Sequence, residues 1–259
     1  NIQFVVLERP NPIRGMQIEG PIREDSLRSF VGWMPIPIAH GMTVGELATM
    51  ANEQGWLKNG VKANLTVIKM NGWKRELWYD ETSLRWIKPS PNMATLRTAT
   101  VYPGMCLIEA TNLSEGRGTE KPFEYIGAPC VNGEVLAKKL NDQHLRGVQF
   151  QPITFMPRDI SGAAVNPKHK NILCGGVYVN VIERNNFESV KTGIAILSAV
   201  HELYPDSLQI RERGLNRLVG VSKVYQMILN NATVDSIVDG WKKELMQFDS
   251  IRKKYFFYK

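Results

Sequence analysis

The chain has 259 residues and a formal net charge of +7, with 32 Lys and Arg residues against 25 Asp and Glu residues. Hydrophobic residues make up 43% and charged residues 22%, which are globular values and exclude a disordered or fibrous chain. The apolar runs, such as residues 4–7, are far shorter than the roughly 18 residues that a membrane-spanning helix needs, so no transmembrane segment is predicted. Basic residues are spread along the chain apart from residues 252–254, so the charge predicts no nucleic-acid partner.

Apolar segments in the first half predict three strands, at residues 2–7, 65–70 and 105–110. The first is a continuous apolar run, which is typical of a strand buried on both faces. Between the first two strands, Thr43 and Glu46 have the spacing of a capping box and predict the start of a helix.

The second half alternates in the same way, with strands predicted at 148–155 and 176–182 and helices at 190–203, 217–229 and 234–251. Interleaved strands and helices predict an α/β architecture with a largely parallel, Rossmann-like sheet, followed by a smaller α/β domain. A doubly wound sheet has about five or six strands, so we expect the first domain to be incomplete at its N-terminus. Turn residues near 126–133 place the domain boundary between 1–132 and 133–259.

The first polar cluster, Glu8-Arg9-Pro10-Asn11, follows the first predicted strand at its carboxyl end, where ligands of open α/β sheets bind. Its carboxylate and guanidinium could hold a sugar hydroxyl or an acid group. The alternative is a mutual ion pair beside a turn-forming Asn.

The second cluster spans residues 112–119, where Asn112, Glu115 and Arg117 supply an amide, a carboxylate and a fork-shaped donor. Glycines on both sides of Arg117 would let the backbone approach a ligand closely. The alternative is an ordinary structured loop.

The third cluster begins at His40, just before the predicted helix, where backbone donors favour an anionic group. Glu46 could act as an acid or base there, but the capping box gives it a structural role, and we favour that role.

Five of the six tryptophans lie in the first third of the chain: Trp33, Trp56, Trp73, Trp78 and Trp86. An exposed indole can stack on the apolar face of a sugar, whereas a buried one belongs to the core. For each of the five we expect a core position rather than a sugar-stacking one.

A series of motifs then occurs in one order along the chain: residues 8–12 (ERPNP), 19–21 (EGP), 29–32 (SFVG), 35–48 (PIPIAHGMTVGELA), 89–93 (PSPNM), 102–104 (YPG), 111–119 (TNLSEGRGT) and 252–255 (RKKY). Together they resemble the DUF1343 family, now known as the NamZ exo-β-N-acetylmuramidases of bacterial peptidoglycan turnover. The resemblance runs essentially from end to end.

The resemblance implies a glycoside hydrolase that releases terminal β-linked N-acetylmuramic acid from peptidoglycan-derived sugars. It implies no metal or organic cofactor. Family members are typically exported, which implies a periplasmic or cell-surface location, with a lipoprotein possible.

Two departures from the family pattern stand out. Family members usually carry Asp where this chain has Glu8. They also begin with a long segment that contains a Glu-His-Gly motif, so we expect this chain to be the larger, C-terminal part of such a protein and the N-terminal segment to be its partner.

Carried over by motif, the resemblance makes Glu115 and Glu8 the candidate catalytic carboxyl groups, since glycoside hydrolysis commonly uses two. Arg117 and Arg9 are expected to hold the lactyl carboxylate of muramic acid. The remaining candidate sugar contacts are His40, Asn11, Asn112 and Thr119. Two alternatives stay open: a glycan-binding protein without hydrolysis, and a subunit that needs a separate N-terminal fragment for activity.

Overall fold

The computed structural model describes residues 2–259 and has the predicted α/β architecture. Strand β1 (Gln3–Leu7) pairs in parallel with β2 (Asn64–Ile68), so that Gln3 lies opposite Asn64 and Leu7 opposite Ile68. Helix α1 (Val44–Glu53) lies between them in the chain and contacts β1. The parallel pair predicted for the start of the chain is therefore present.

Strand β1 is less buried than its apolar sequence predicts. Phe4 is 61% exposed and Leu7 is 67% exposed, whereas Val6 is buried. Within residues 2–259, β2 is the one strand that pairs with β1. The prediction of a strand buried on both faces is wrong for this structure, because Phe4 and Leu7 lie on opposite faces of the strand and both are exposed.

Helix α1 begins at the predicted capping box. The Thr43 hydroxyl accepts a hydrogen bond from the Glu46 backbone N–H, and the Glu46 carboxylate accepts one from the Thr43 N–H at 3.0 Å. The buried Glu46 carboxylate also accepts from Arg75 at 2.7 Å and from the Phe257 N–H at 2.9 Å. Its structural role is confirmed.

The strand predicted at residues 105–110 is wrong. Helix α2 (Leu96–Met105) runs directly into a 3-10 helix at Cys106–Ala110. Leu107 and Ile108 are fully buried. An apolar run that is buried on every side has no period by which a helix can be told from a strand.

The second sheet consists of β3 (Tyr125–Ala128), β4 (Val148–Phe155) and β5 (Cys174–Val181) in the order β3-β5-β4, and both pairings are antiparallel. A largely parallel arrangement does not extend to this sheet, because the chain crosses from β4 to β5 without a helix. The proposed boundary between 132 and 133 would separate β3 from its partner strand β5.

Two helices pack with this sheet, α3 (Gly133–Asn141) between β3 and β4 and α4 (Ser189–Leu203) after β5. Helices α2 and α4 cross at two glycines. A Cβ on Gly104 would overlap the Ser189 carbonyl, and one on Gly193 would overlap the Gly104 carbonyl. The close crossing therefore requires glycine at both positions.

The two long helices predicted near the C-terminus are each broken in two. The first becomes α5 (Glu212–Val219) and α6 (Lys223–Leu229), because Gly220 adopts a left-handed φ of 94°. The second becomes α7 (Val234–Asp239) and α8 (Lys242–Arg252). Across residues 2–259, none of these helices is both long and apolar enough to cross a membrane.

Candidate active site

A cavity of about 400 Å³ lies at the carboxyl ends of β1 and β2, the edge at which parallel sheets bind ligands. We call it the strand-end cavity. Its lining comes from three segments of the chain, residues 8–10, 70–73 and 77–84. The first segment carries Glu8 and Arg9, so the first predicted cluster does line a cavity.

Glu8 lies between the end of β1 and the start of α1. The Thr43 hydroxyl donates to its Oε1 at 2.6 Å, and the Arg9 backbone N–H donates to its Oε2 at 3.2 Å. Burial raises the pKa of Glu8 above its usual value, although the Thr43 hydrogen bond opposes that shift. A Cβ on Gly45 would overlap Glu8 Oε1, so a larger residue at this position would displace the Glu8 carboxyl group.

Two other charged groups of the strand-end cavity differ in how they are paired. Arg9 is exposed, and its guanidinium has no ion-pair partner within residues 2–259. Glu81 lines the same cavity and is paired with Arg184 at 2.9 Å. The cavity therefore combines a buried carboxyl group, an unpaired guanidinium and a second carboxylate.

Asn11, predicted to contact sugar, makes hydrogen bonds within the protein. Its amide donates to the Met42 carbonyl at 3.1 Å, and its Oδ1 accepts from the Ile13 N–H at 3.2 Å. It fixes the turn after β1 against the turn that precedes α1.

A second cavity of about 320 Å³ lies between residues 23–40 on one side and the segments 102–109 and 217–220 on the other. We call it the central cleft. His40, Tyr102, Glu109 and Arg217 are among the polar residues that line it. Arg217 has no ion-pair or hydrogen-bond partner for its guanidinium within residues 2–259.

His40 presents one ring nitrogen to the protein backbone. Its Nδ1 accepts a hydrogen bond from the Met42 N–H at 3.1 Å, so Nε2 carries the proton of the neutral ring. Burial, with the nearby Arg252 charge, lowers the pKa of His40 to about 4. At neutral pH this histidine is therefore an uncharged donor.

Tyr102 and Glu109 line one side of the central cleft, and Arg117 contacts Glu109 from outside the lining. Burial raises the pKa of Tyr102 to about 12. Arg117 pairs with Glu109 at 2.7 Å and lies over the Phe123 ring, which also contacts Tyr102 edge to face. Arg117 is thus held beside the cleft rather than in the strand-end cavity.

Glu115 is buried beneath the loop that carries it. Arg117 lies 3.3 Å from its Oε1 and Lys168 lies 2.9 Å from its Oε2. The Lys168 ammonium also donates to the Leu113 carbonyl at 2.9 Å. These contacts tie the loop at 112–119 to the segment that leads into β5, and Glu115 lines neither of the two cavities.

The other two predicted sugar contacts in this loop, Asn112 and Thr119, make their hydrogen bonds within the protein. Asn112 donates to the Ser207 carbonyl at 2.8 Å and accepts from the Gln209 N–H at 2.9 Å. The Thr119 hydroxyl donates to the Gly116 carbonyl at 2.7 Å.

The structure therefore separates the two predicted catalytic groups. Glu8 and Arg9 line the strand-end cavity, His40 lines the central cleft, and Glu115 lies under its loop. Sequence reasoning missed Tyr102, Glu109 and Arg217 as cleft residues, as well as Glu81. Tyr102 stood in a family-like motif, which was a usable signal, whereas the others carried none.

Comparison with known protein families shows which family this chain belongs to. A model of the N-terminal part of exo-β-N-acetylmuramidase NamZ matches residues 1–97, and a model of its C-terminal part matches residues 100–258. The chain belongs to the NamZ family. The two NamZ models meet between residues 97 and 100, so the central cleft lies between the two matched parts.

Individual relatives agree with this assignment. The chain is 45% identical over 258 residues to the peptidoglycan β-N-acetylmuramidase NamZ of Bacillus subtilis strain 168, covering 99% of this chain and 60% of that protein. Two crystal structures of DUF1343 family proteins from Bacteroides fragilis NCTC 9343 superpose with TM-scores of 0.90 and 0.79, at 32% and 31% identity. Each comparison covers 99% of this chain and 66% of the other.

One expectation needs correction. The chain is not restricted to the C-terminal part of a NamZ protein, because the N-terminal NamZ model matches residues 1–97. A missing N-terminal segment is not supported as its partner by these matches. The chain nevertheless spans about 60% of the length of the Bacillus relative.

Proposed function

We propose that this chain acts as an exo-acting glycoside hydrolase that releases terminal β-linked N-acetylmuramic acid from peptidoglycan fragments. The observation that supports it best is the 45% identity, over almost the whole chain, to a peptidoglycan β-N-acetylmuramidase.

At the level of residues, we propose Glu8 as the proton donor. A general acid must be protonated near the working pH, and burial raises the pKa of Glu8 in that direction. The carboxyl group would protonate the glycosidic oxygen of a sugar in the strand-end cavity. Glu81 lines the same cavity and is the candidate second carboxylate that glycoside hydrolysis commonly needs.

Arg9 would select a muramic acid residue over a neutral sugar. The sugar released carries a lactyl carboxylate, and a planar guanidinium binds a carboxylate through two parallel hydrogen bonds. The guanidinium of Arg9 lines the cavity without an ion-pair partner within the described residues, so a substrate carboxylate would not have to displace one.

Glu8→Gln tests the assignment. Turnover of a chromogenic β-N-acetylmuramic acid glycoside should fall by about 10²- to 10⁴-fold, the usual contribution of a general acid. The exposed Glu76→Gln, which changes charge in the same way outside the cavity, should keep its turnover. Full activity in Glu8→Gln would remove Glu8 from the mechanism.

A second candidate function is glycan binding without hydrolysis, and the central cleft favours it. Its Arg217, His40 and Tyr102 side chains supply donors for an acidic sugar. A protein that binds muropeptide but never releases product would support this alternative.

An exported location is part of the proposal as well, because peptidoglycan lies outside the cytoplasmic membrane. Fractionation of the producing cell tests it: recovery in the cytoplasm alone would contradict an extracytoplasmic role.

A further inference from the structure

The six tryptophans do not share one environment. Trp73, Trp78 and Trp241 are buried in the protein interior. Trp86 packs edge to face on Tyr79. Trp33 and Trp56, by contrast, are only partly buried and line a cavity. Trp56 packs with one side against the core cluster of Met42 and Met50, whereas the expectation of a core position does not describe Trp33.

Trp33 and Trp56 line one large, open cavity of about 670 Å³, which we call the tryptophan groove. The groove adjoins the central cleft, because Arg23 and Trp33 line both. It also adjoins a third cavity of about 390 Å³ through Arg23, Pro35 and Trp56. An elongated ligand could therefore extend from the central cleft past both indoles.

The charged groups of the tryptophan groove favour an anionic ligand. Asp25 is paired with the buried Arg23 at 3.2 Å. Arg28 lies over the Trp33 ring at 5.6 Å, and neither Arg28 nor Lys58 has an ion-pair partner within residues 2–259. The groove thus presents two indoles and two uncompensated cations.

These features match a carboxylate-bearing glycan strand. Sugar rings have an apolar face that packs on an indole, and carboxylates pair with Arg and Lys side chains. We propose that the tryptophan groove binds the sugars of an acidic glycan strand, with Trp33 and Trp56 as stacking residues. This inference rests on the proposed function for the identity of the strand.

Binding measured by calorimetry tests the groove without requiring hydrolysis. The probes are a tetrasaccharide of alternating N-acetylglucosamine and N-acetylmuramic acid, with N-acetylglucosamine at its non-reducing end so that no terminal muramic acid can be released, and its neutral N-acetylglucosamine counterpart. Trp56→Ala should weaken binding of both about tenfold, because both lose a stacking contact.

The charge variants separate the two contributions. Arg28→Gln with Lys58→Gln should weaken binding of the acidic tetrasaccharide about tenfold and leave the neutral one within about twofold. Lys88→Gln, exposed and outside the groove, is the matched control and should change neither. Thermal melting shows whether Trp56→Ala is folded. If it is not, the variant with Arg28→Gln and Lys58→Gln tests the proposal instead, because both of its substituted side chains are exposed.

Equal affinity of the wild type and the Arg28/Lys58 variant for the acidic tetrasaccharide would overturn the proposal. So would tetrasaccharide binding that Trp56→Ala leaves unchanged. If the wild type binds the tetrasaccharide through the groove but never releases N-acetylmuramic acid from its own substrate, the proposed hydrolysis fails and the groove stands.

Discussion

Glu19 Oε2 accepts a hydrogen bond at 2.8 Å from the backbone N–H of Val190, in the first turn of helix α4. Its Oε1 accepts from the Ser189 N–H at 3.2 Å. The residue that precedes α4, Glu188, makes no side-chain cap of its own. A carboxylate from the part matched by the N-terminal NamZ model therefore caps a helix of the C-terminal part.

Removing this cap should destabilise the protein, because the cap joins the N-terminal part to a helix of the C-terminal part. We expect Glu19→Ala to lower the free energy of unfolding by about 1–2 kcal/mol, the usual cost of a lost helix cap. Glu19→Gln keeps an acceptor for the Val190 N–H and should lose less. Urea unfolding measures both, and equal values for Ala and wild type would contradict the capping role.

The same residue predicts how stability depends on pH. Burial raises the pKa of Glu19 to about 7 from its usual 4.5, although three N–H donors oppose the shift. A raised pKa in the folded state means that the acid form stabilises the fold. That contribution is complete below pH 4.5 and is lost as the pH rises through 7. Between pH 4.5 and 7, the melting temperature of the wild type should therefore fall relative to that of Glu19→Gln. If the two melting temperatures change with pH in the same way, the prediction is wrong.

Thr43 is predicted to position Glu8 and to tune its pKa. Its hydroxyl donates to Glu8 Oε1 and lowers the pKa of that carboxyl. In Thr43→Val this contact is lost, so the pKa should rise and the basic limb of the activity profile should move to higher pH. Thr43→Ser should restore the wild-type profile. An unshifted limb in the valine variant would show that Thr43 serves only helix α1.

Glu115 is expected to matter for stability. Glu115→Gln would leave Lys168 and Arg117 without their shared carboxylate, at a cost on the order of 2 kcal/mol. Urea unfolding, with the exposed Glu76→Gln as control, measures the loss. A variant that keeps its stability but loses turnover would instead return Glu115 to the catalytic residues.

Local signals were enough to predict parts of the fold. The capping box at Thr43 and Glu46 predicted the start of α1, since it depends on contacts four residues apart or fewer. The apolar run at residues 65–70 predicted the second strand, which the structure has at Asn64–Ile68. The 3-10 helix at Cys106–Ala110 could not be predicted in the same way, because full burial removed the periodicity.

The site depended on contacts that no local pattern records. Arg217 comes from α5 and Tyr102 from α2, yet both line the central cleft with His40. Glu115 looked functional because glycines and an arginine surround it in sequence. Its second cation, Lys168, lies more than fifty residues further on, and only the fold brings the two together.

The most direct test of this account is release of product from a chromogenic β-N-acetylmuramic acid glycoside, with the N-acetylglucosamine analogue alongside. Turnover of the muramic acid glycoside only is expected, because the N-acetylglucosamine analogue has no lactyl carboxylate for Arg9 to bind. Equal turnover of both glycosides would contradict the role of the carboxylate. Binding of the muramic acid glycoside without any release would contradict hydrolysis by this chain and favour a glycan-binding protein.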